Sequence, residues 1–307
     1  MTSTLDRPAT RAAAPKPPKR TGGRINLGRI GLHTFLVVVC LAWLAPLLWA
    51  VYASLRTYQD TAANGYFSLP EALTLDNFSR AWTQAELPKY FGNTLAITVP
   101  AVILTLLFSS FVAFGVSRFS FKFNLALLML FTAGNLLPQQ VVVTPLYRLY
   151  LLTPVPSWIN ENEILLNTQL GLVLIHVAFQ TGFCTFVLSN YMKTIPYELT
   201  EAARVDGAGV FRQYWQVILP LCRPALGALA TLEFTWIYND FFWAIVLIQT
   251  GDKMPVTSAL KNLSGQFFTD YNLLAAGSLL VAIPSLVVFF ALQRQFIGGL
   301  TLGSTKG

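Results

Sequence analysis

Six stretches of the chain, approximately 31–53, 94–116, 124–147, 168–190, 225–249 and 273–296, are predominantly apolar and each reach the ~20 residues needed to cross a bilayer as a helix. Few folds accept such runs. In lipid every backbone N–H and C=O must be satisfied within the spanning segment itself, so each stretch is expected to be helical. Only 11% of the residues are charged and 54% are hydrophobic, whereas an ordinary soluble domain carries roughly 25% charged residues. The 7 Trp, 11 Tyr and 23 Phe suit helix interfaces and the headgroup boundary. The expected fold is an all-α membrane protein with six transmembrane helices.

An even number of spans puts both termini on one side. Arg7, Arg11, Lys16, Lys19, Arg20, Arg24 and Arg29 precede the first span, and Lys and Arg concentrate on the cytoplasmic side of bacterial membranes. With the amino terminus inside, the inner segments hold 15 of the 21 basic residues and the outer loops 6. The expectation is a multi-pass protein of the bacterial inner membrane with both termini cytoplasmic. Residues 1–23 are too polar and too rich in Ala and Pro to bury a core, and read as a disordered basic tail. The apolar stretch after them is too long for the h-region of a cleavable signal. Residues 24–307 then form one transmembrane domain.

Several chemistries lack their residues. Cys40, Cys184 and Cys222 are far apart and odd in number, which fits neither a disulfide framework nor a metal site. His33 and His176 have no partner at zinc-ligand spacing and read as structural. No G-x4-G-K-[ST] loop or G-x-S-x-G turn occurs, so the chain is expected to bind no nucleotide and to carry no catalytic residue. The net charge of +7 is scattered over loops and tail, without the basic face that nucleic acid requires.

The segment between the fourth and fifth spans has more pattern than a connection needs. Thr194 is placed to cap a helix whose first turn holds Pro196, Glu198 and Glu201. Leu199, Ala202 and Val205 fall on one face, and Asp206-Gly207 offers a left-handed stop. A second amphipathic stretch has Val210, Phe211, Tyr214 and Val217 on one side and Arg212 and Gln216 on the other, with Pro220 interrupting it before span five. Two short helices joined by glycine make a protruding knob. Amphipathicity alone would also describe a pair of interfacial helices.

The residue spacing goes further. Glu201-Ala202-Ala203, Gly207, and then Val217-x-Leu219-Pro220 closely resemble the E-A-A-x3-G-x9-I-x-L-P signature of binding-protein-dependent ABC transporter permeases, with Val217 for Ile. The resemblance implies a coupling helix that docks on a separate ATPase subunit, with Glu201, Ala202, Ala203, Asp206, Gly207, Leu219 and Pro220 carrying the coupling. It is similar in particular to the maltose and multiple-sugar (MalG-like) branch. Ser54-Leu55-Arg56-Thr57, Thr74-Leu75-Asp76-Asn77-Phe78, Asn93-Thr94-Leu95, Ile195-Pro196, Val205-Asp206-Gly207-Ala208 and the ending 299–307 carry that likeness. Two departures are a long outer loop at 154–163 and Thr181-Gly182-Phe183 in place of Leu-Pro-Phe. What the family implies is a permease for a sugar or oligosaccharide, working by alternating access. Its partners would be a second, homologous permease in a heterodimer, an ATP-binding subunit dimer that holds ATP and Mg, and an extracytoplasmic solute-binding protein.

Span five carries Glu233, Trp236, Asn239, Asp240 and Trp243, three or four residues apart and so on one face of a continuous helix. Ionisable groups at that depth cost several kcal/mol unless they face protein or water. The stripe combines planar polar groups with aromatic rings, which suits a sugar path, and it is equally able to lock helices together. In span three, Asn135, Gln139 and Gln140 surround Pro138, where a kink is expected and the polar groups read as helix glue. A proton-coupled secondary transporter, with Glu233 and Asp240 as relay groups, is the alternative from another class.

Overall fold

The computed structural model describes residues 27–263 and 269–301. The tail 1–23 and the ending from 302 onward, which the sequence singles out, lie outside the described residues. Among the described residues every named element is a helix, joined by turns and loops, and an isolated bridge pairs Pro154 with Ile164.

The chain divides into two units between Leu48 and Trp49. The first consists of most of helix α1 (Leu27–Ser54), whose large apolar side chains from Ile30 to Leu48 are exposed, as lipid-facing residues are. The second begins with two short helices, α2 (Tyr58–Asn64) and α3 (Asp76–Gln84), followed by the long α4 (Leu87–Arg118). Next come α5 (Asn124–Leu136), α6 (Gln139–Leu152) and α7 (Gln169–Thr194), the last begun by the side chain of Thr168, which accepts from Gly171 N at 2.9 Å. Then follow α8 (Glu198–Val205), α9 (Val210–Arg212), a π-helical turn (Gln213–Ile218), α10 (Leu219–Leu221) and α11 (Arg223–Tyr238). The last elements are α12 (Phe242–Leu247), α13 (Val256–Ala259) and α14 (Tyr271–Thr301).

Among the described residues four helices are long and apolar enough to cross a membrane singly: Gly28–Ser54, Leu87–Arg118, Gln169–Thr194 and Tyr271–Gln293. Two bent pairs qualify when taken together, so the number reaches six if each pair is one crossing. The first bend is the kink expected in span three, and the second precedes span five, whose own break comes further on. In span three, α5 and α6 meet at 95°, because Pro138 has no N–H and forces Leu137 into an extended conformation (φ −70, ψ 128). Span five was expected to run unbroken over 225–249. Instead α11 ends at Tyr238, and the carboxylate of Asp240 accepts from Trp243 N and Ala244 N, which starts α12. At its other end α11 meets the helical run Val210–Leu221 at 74°.

α4 packs along α7, and α11 along α14. Around the first pair, Ile97, Ala101, Leu172 and Ile175 join Trp243 and Leu247 of α12 in one core. A second core joins Ala81 and Leu87 to Tyr238, Val256 and Ala276.

The loop after α1 is organised by Arg56, which is fully buried. Its guanidinium donates to Asp60 Oδ2 (2.8 Å), Ser68 Oγ (2.8 Å) and the carbonyls of Gly65 and Tyr66 (both 3.2 Å). Asn77 Nδ2 donates to the carbonyls of Ser54 and Arg56, and Asn272 Nδ2 from α14 donates to Arg56 O at 3.0 Å and Thr61 Oγ1 at 2.8 Å. Hydrogen bonding to Arg56 first, then to Asn64, pulls the Asp60 carboxyl down to about 2. Much of the family-like pattern at 54–57 and 74–78 is therefore one polar knot that fixes a loop.

Candidate functional site

The segment 195–222 leaves the bundle as a knob. α7 runs to Thr194, whose hydroxyl donates to Tyr191 O at 2.7 Å. Thr194 therefore closes the preceding helix and does not cap the next; α8 starts at Glu198 with no side-chain cap. Ile195-Pro196 separates the two, since a residue before proline is held extended.

α8 ends in a left-handed stop, as the Asp206-Gly207 pair suggests. Gly207 has φ +78, its N–H donates to Arg204 O (3.0 Å), and Ala208 N donates to Ala203 O (2.8 Å). These paired bonds make a Schellman motif, which satisfies carbonyls that the helix end would otherwise leave open. The motif decides which residues face outwards. Thr200 and Ala203 pack inward, while Glu201, Ala202, Asp206 and Gly207 are exposed together with Leu199 and Val205. Of the two alanines, only Ala202 therefore presents a surface; Ala203 serves the chain's own packing. Val205 is 87% exposed, an apolar side chain left for something else to cover.

The second half of the knob departs from the expected single apolar face. Val210 and Phe211 are exposed, whereas Tyr214 is 2% exposed and its ring lies against Phe111 and Phe114 of α4. The π turn causes this split. Leu219 N–H reaches back five residues to Tyr214 O, the wider spacing that accommodates a helix whose next residue, Pro220, has no N–H to give. Pro220 does not end the helix, which continues to Leu221 and bends at Cys222. Leu219 and Pro220 are half-buried, and Leu219 packs with Tyr214, Ile218 and Cys222. They set the angle of the knob and are not part of its exposed edge.

The second feature is a cavity of about 560 Å³ where α11 breaks. Trp236, Asn239, Asp240 and Trp243 of the polar stripe line it, with Phe241 and Phe242 from the break. Glu233 does not reach it. Its side chain is fully buried and accepts from Cys184 Sγ at 3.1 Å, one turn away inside the helix pair. The stripe thus separates into a packing residue and a cavity group, because α11 stops before Asn239 and the one-face geometry no longer applies.

Residues of other helices complete the cavity. His176 and Gln180 come from α7 and Gln139 from the start of α6. The His176 Nε2 lies 3.7 Å from Asp240 Oδ2. His176 was read as structural and Gln139 as helix glue. The available signal was the four-residue spacing of His176 and Gln180, which puts both on one face of α7. The break at Pro138 that exposes Gln139 is the same break predicted as a kink. Trp243 is held by Phe179 (5.4 Å) and Phe242 (5.1 Å). The cavity offers amide, imidazole, hydroxyl and carboxylate groups beside aromatic rings, with one carboxylate and no Lys or Arg among its described lining residues. It is suited to a hydroxyl-rich ligand without an acidic group.

Residues 105–298 match the family described as binding-protein-dependent transport system inner membrane component. A probable ABC transporter permease protein of Pyrococcus horikoshii is 33% identical over 85% of this chain and 91% of its own length. The diacetylchitobiose uptake system permease protein of Streptomyces coelicolor is 30% identical over 89% of this chain and 88% of its own. Among solved structures, a bacterial ABC transporter involved in the import of the acidic polysaccharide alginate has a chain of the same fold. Its TM-score is 0.74 at 20% identity, covering 88% of this chain and 96% of that one.

Proposed function

The chain belongs to the binding-protein-dependent transport system inner membrane components, and from that membership we propose that it is a permease subunit for a sugar or oligosaccharide. It is a multi-pass membrane protein. In the proposed arrangement six spans, with α5 and α6 together as the third and α11 and α12 as the fifth, put both termini and the knob in the cytoplasm of a bacterial cell, in keeping with the excess of Lys and Arg on that side.

The observation that carries this reading is the exposed edge of α8. Glu201, Ala202, Val205, Asp206 and Gly207 protrude between α7 and α11, and none of the described residues buries them. In the proposal this edge docks on an ATP-binding subunit dimer, which holds the ATP and Mg. The small Ala202 lets the helix approach closely, Glu201 offers a carboxylate to a basic group, and Gly207 provides the reversal. A second, homologous permease completes a heterodimer, and an extracytoplasmic solute-binding protein delivers the ligand. Closure of the ATP-binding subunits favours an outward-open state, and hydrolysis returns the inward-open one.

Support for a sugar comes from the cavity's mixture of planar polar groups and Trp rings, and from the diacetylchitobiose uptake named for one relative. A proton-coupled mechanism finds no support in the family, and Glu233 and Asp240 face different partners, Cys184 and His176.

The test is uptake into proteoliposomes that contain the complete complex. Glu201→Lys is expected to abolish ATP-dependent uptake and to loosen the ATP-binding subunits, while the permease still inserts. Wild-type uptake by Glu201→Lys would refute the docking role.

A further inference from the structure

The knob is fastened at both flanks to a helix that is not its neighbour in sequence. On the entry side Arg118, the last residue of α4, is buried, and its Nη2 donates to the carbonyls of Met192 (2.9 Å) and Ile195 (3.1 Å), where α7 gives way to the knob. Its guanidinium also lies 5.9 Å from the centre of the Tyr197 ring. On the exit side Tyr214, in the π turn, shares a 2.8 Å hydrogen bond with Ser110 of α4. The Tyr214 ring stacks on Phe111 at 4.6 Å and meets Phe114 edge-on at 5.4 Å.

Ser110 and Arg118 are roughly 12 Å apart along α4 at a rise of 1.5 Å per residue. A single attachment would let the knob pivot on the helix. Two attachments at that separation oblige the helix to follow the knob. Packing alone would require only a ring at position 214. The buried phenol and the buried guanidinium each need a partner, and that need selects one register between knob and helix.

The opposite end of α4 is fastened as well. Asn93 Nδ2 donates to Asp252 O (2.7 Å) and Met254 O (3.0 Å), and its Oδ1 accepts from Gln169 Nε2 (3.0 Å). Thr94 Oγ1 accepts from Val256 N at 2.8 Å. Residues 252–256 follow α12, the helix that walls the cavity. A 32-residue helix, about 48 Å long, therefore joins the knob to the loop beyond the cavity.

We infer that α4 is the strut that carries displacement of the coupling segment across the membrane, with Arg118 and Tyr214 as positioning residues at one end and Asn93 and Thr94 at the other. This rests on the docking role proposed for α8. The π turn and the 74° bend at Cys222 supply the compliant joint that such a movement requires, leaving α11 free to move differently from α4.

The experiment measures uptake per ATP hydrolysed in the reconstituted complex for Tyr214→Phe, Ser110→Ala, the double variant and Asn93→Ala. Tyr214→Phe keeps the ring packing and removes only the hydroxyl. Hydrolysis stimulated by the loaded binding protein is expected to persist, while uptake per ATP falls by about two- to tenfold, the range that one hydrogen bond can bias between two states. The double variant should be no worse than either single one, and Asn93→Ala should show the same uncoupling from the far end. A purely structural role would lower the amount and thermal stability of the complex without changing the ratio, and that result overturns the inference. If Tyr214→Phe does not assemble, Asn93→Ala alone decides: an unchanged ratio refutes the strut. Absence of ATP-dependent uptake from the wild-type complex would instead overturn the docking role beneath it.

Discussion

Replacing Gly207 by alanine isolates the backbone requirement of the knob from every contact. Gly207 sits at φ +78, and a Cβ built there meets nothing within 4 Å, so no clash contributes. What remains is the cost of placing an L-residue in the left-handed region, about 1–2 kcal/mol. That cost falls on the Schellman bonds from Gly207 N to Arg204 O and from Ala208 N to Ala203 O. It corresponds to a roughly five- to thirtyfold rise in the open population of the stop. Gly209 is the internal control. It also has open space around its Cβ position, but its φ is −63, so Gly209→Ala should change little. Hydrogen exchange followed by mass spectrometry on the detergent-solubilised permease reads the opening directly, in peptides that cover 203–210. Gly207→Ala should speed exchange there by about five- to thirtyfold and weaken binding of the ATP-binding subunits by a similar factor. Gly207→Asn should fall between, since Asn tolerates this region better. Equal effects of Gly207→Ala and Gly209→Ala would refute the argument.

Other expectations can be checked separately. Asp240→Ala should reduce uptake strongly while the protein remains in the membrane at normal level; a parallel loss of protein on immunoblots would assign Asp240 to folding, as the residue that starts α12. Gly171→Ala should destabilise by about 1–3 kcal/mol, because its Cβ would lie 2.9 Å from Tyr150 Cε1 and 3.0 Å from Leu165 O. Thermal unfolding in detergent, with Gly115→Ala as the control in open space, measures that difference. For Asp60 the folded carboxyl is held at about 2, below its ordinary 3.8, so its contribution to stability is complete above about pH 4 and lost as pH falls through about 2. Wild type should therefore lose stability more steeply than Asp60→Asn between those limits. A steeper loss in the variant would reverse the sign and refute the pairing.

Apolar run length and basic asymmetry made the class legible, because lipid leaves the backbone no alternative to helix. The order of Glu201, Ala202, Ala203 and Gly207 marked the knob, and a left-handed stop favours glycine over any residue with a Cβ. Proline likewise announced the break at 138. What local pattern could not give was the fate of span five. A helical stripe from Glu233 to Trp243 presumes that the helix continues, and only the end of α11 at Tyr238, with the Asp240 carboxylate accepting from Trp243 N and Ala244 N, ends that presumption. His176 and Gln180 acquire their place only once α7 is set beside that break. The same holds for Ser110 and Tyr214, which are far apart in the chain and joined across 2.8 Å. The sequence by itself determined the apolar helices, the stops at Gly207 and Pro138 and the presence of the knob, since those depend on neighbours within a turn or in lipid. The tertiary structure alone decided the cavity and the double attachment of α4, since each depends on helices far apart in the chain meeting in one register.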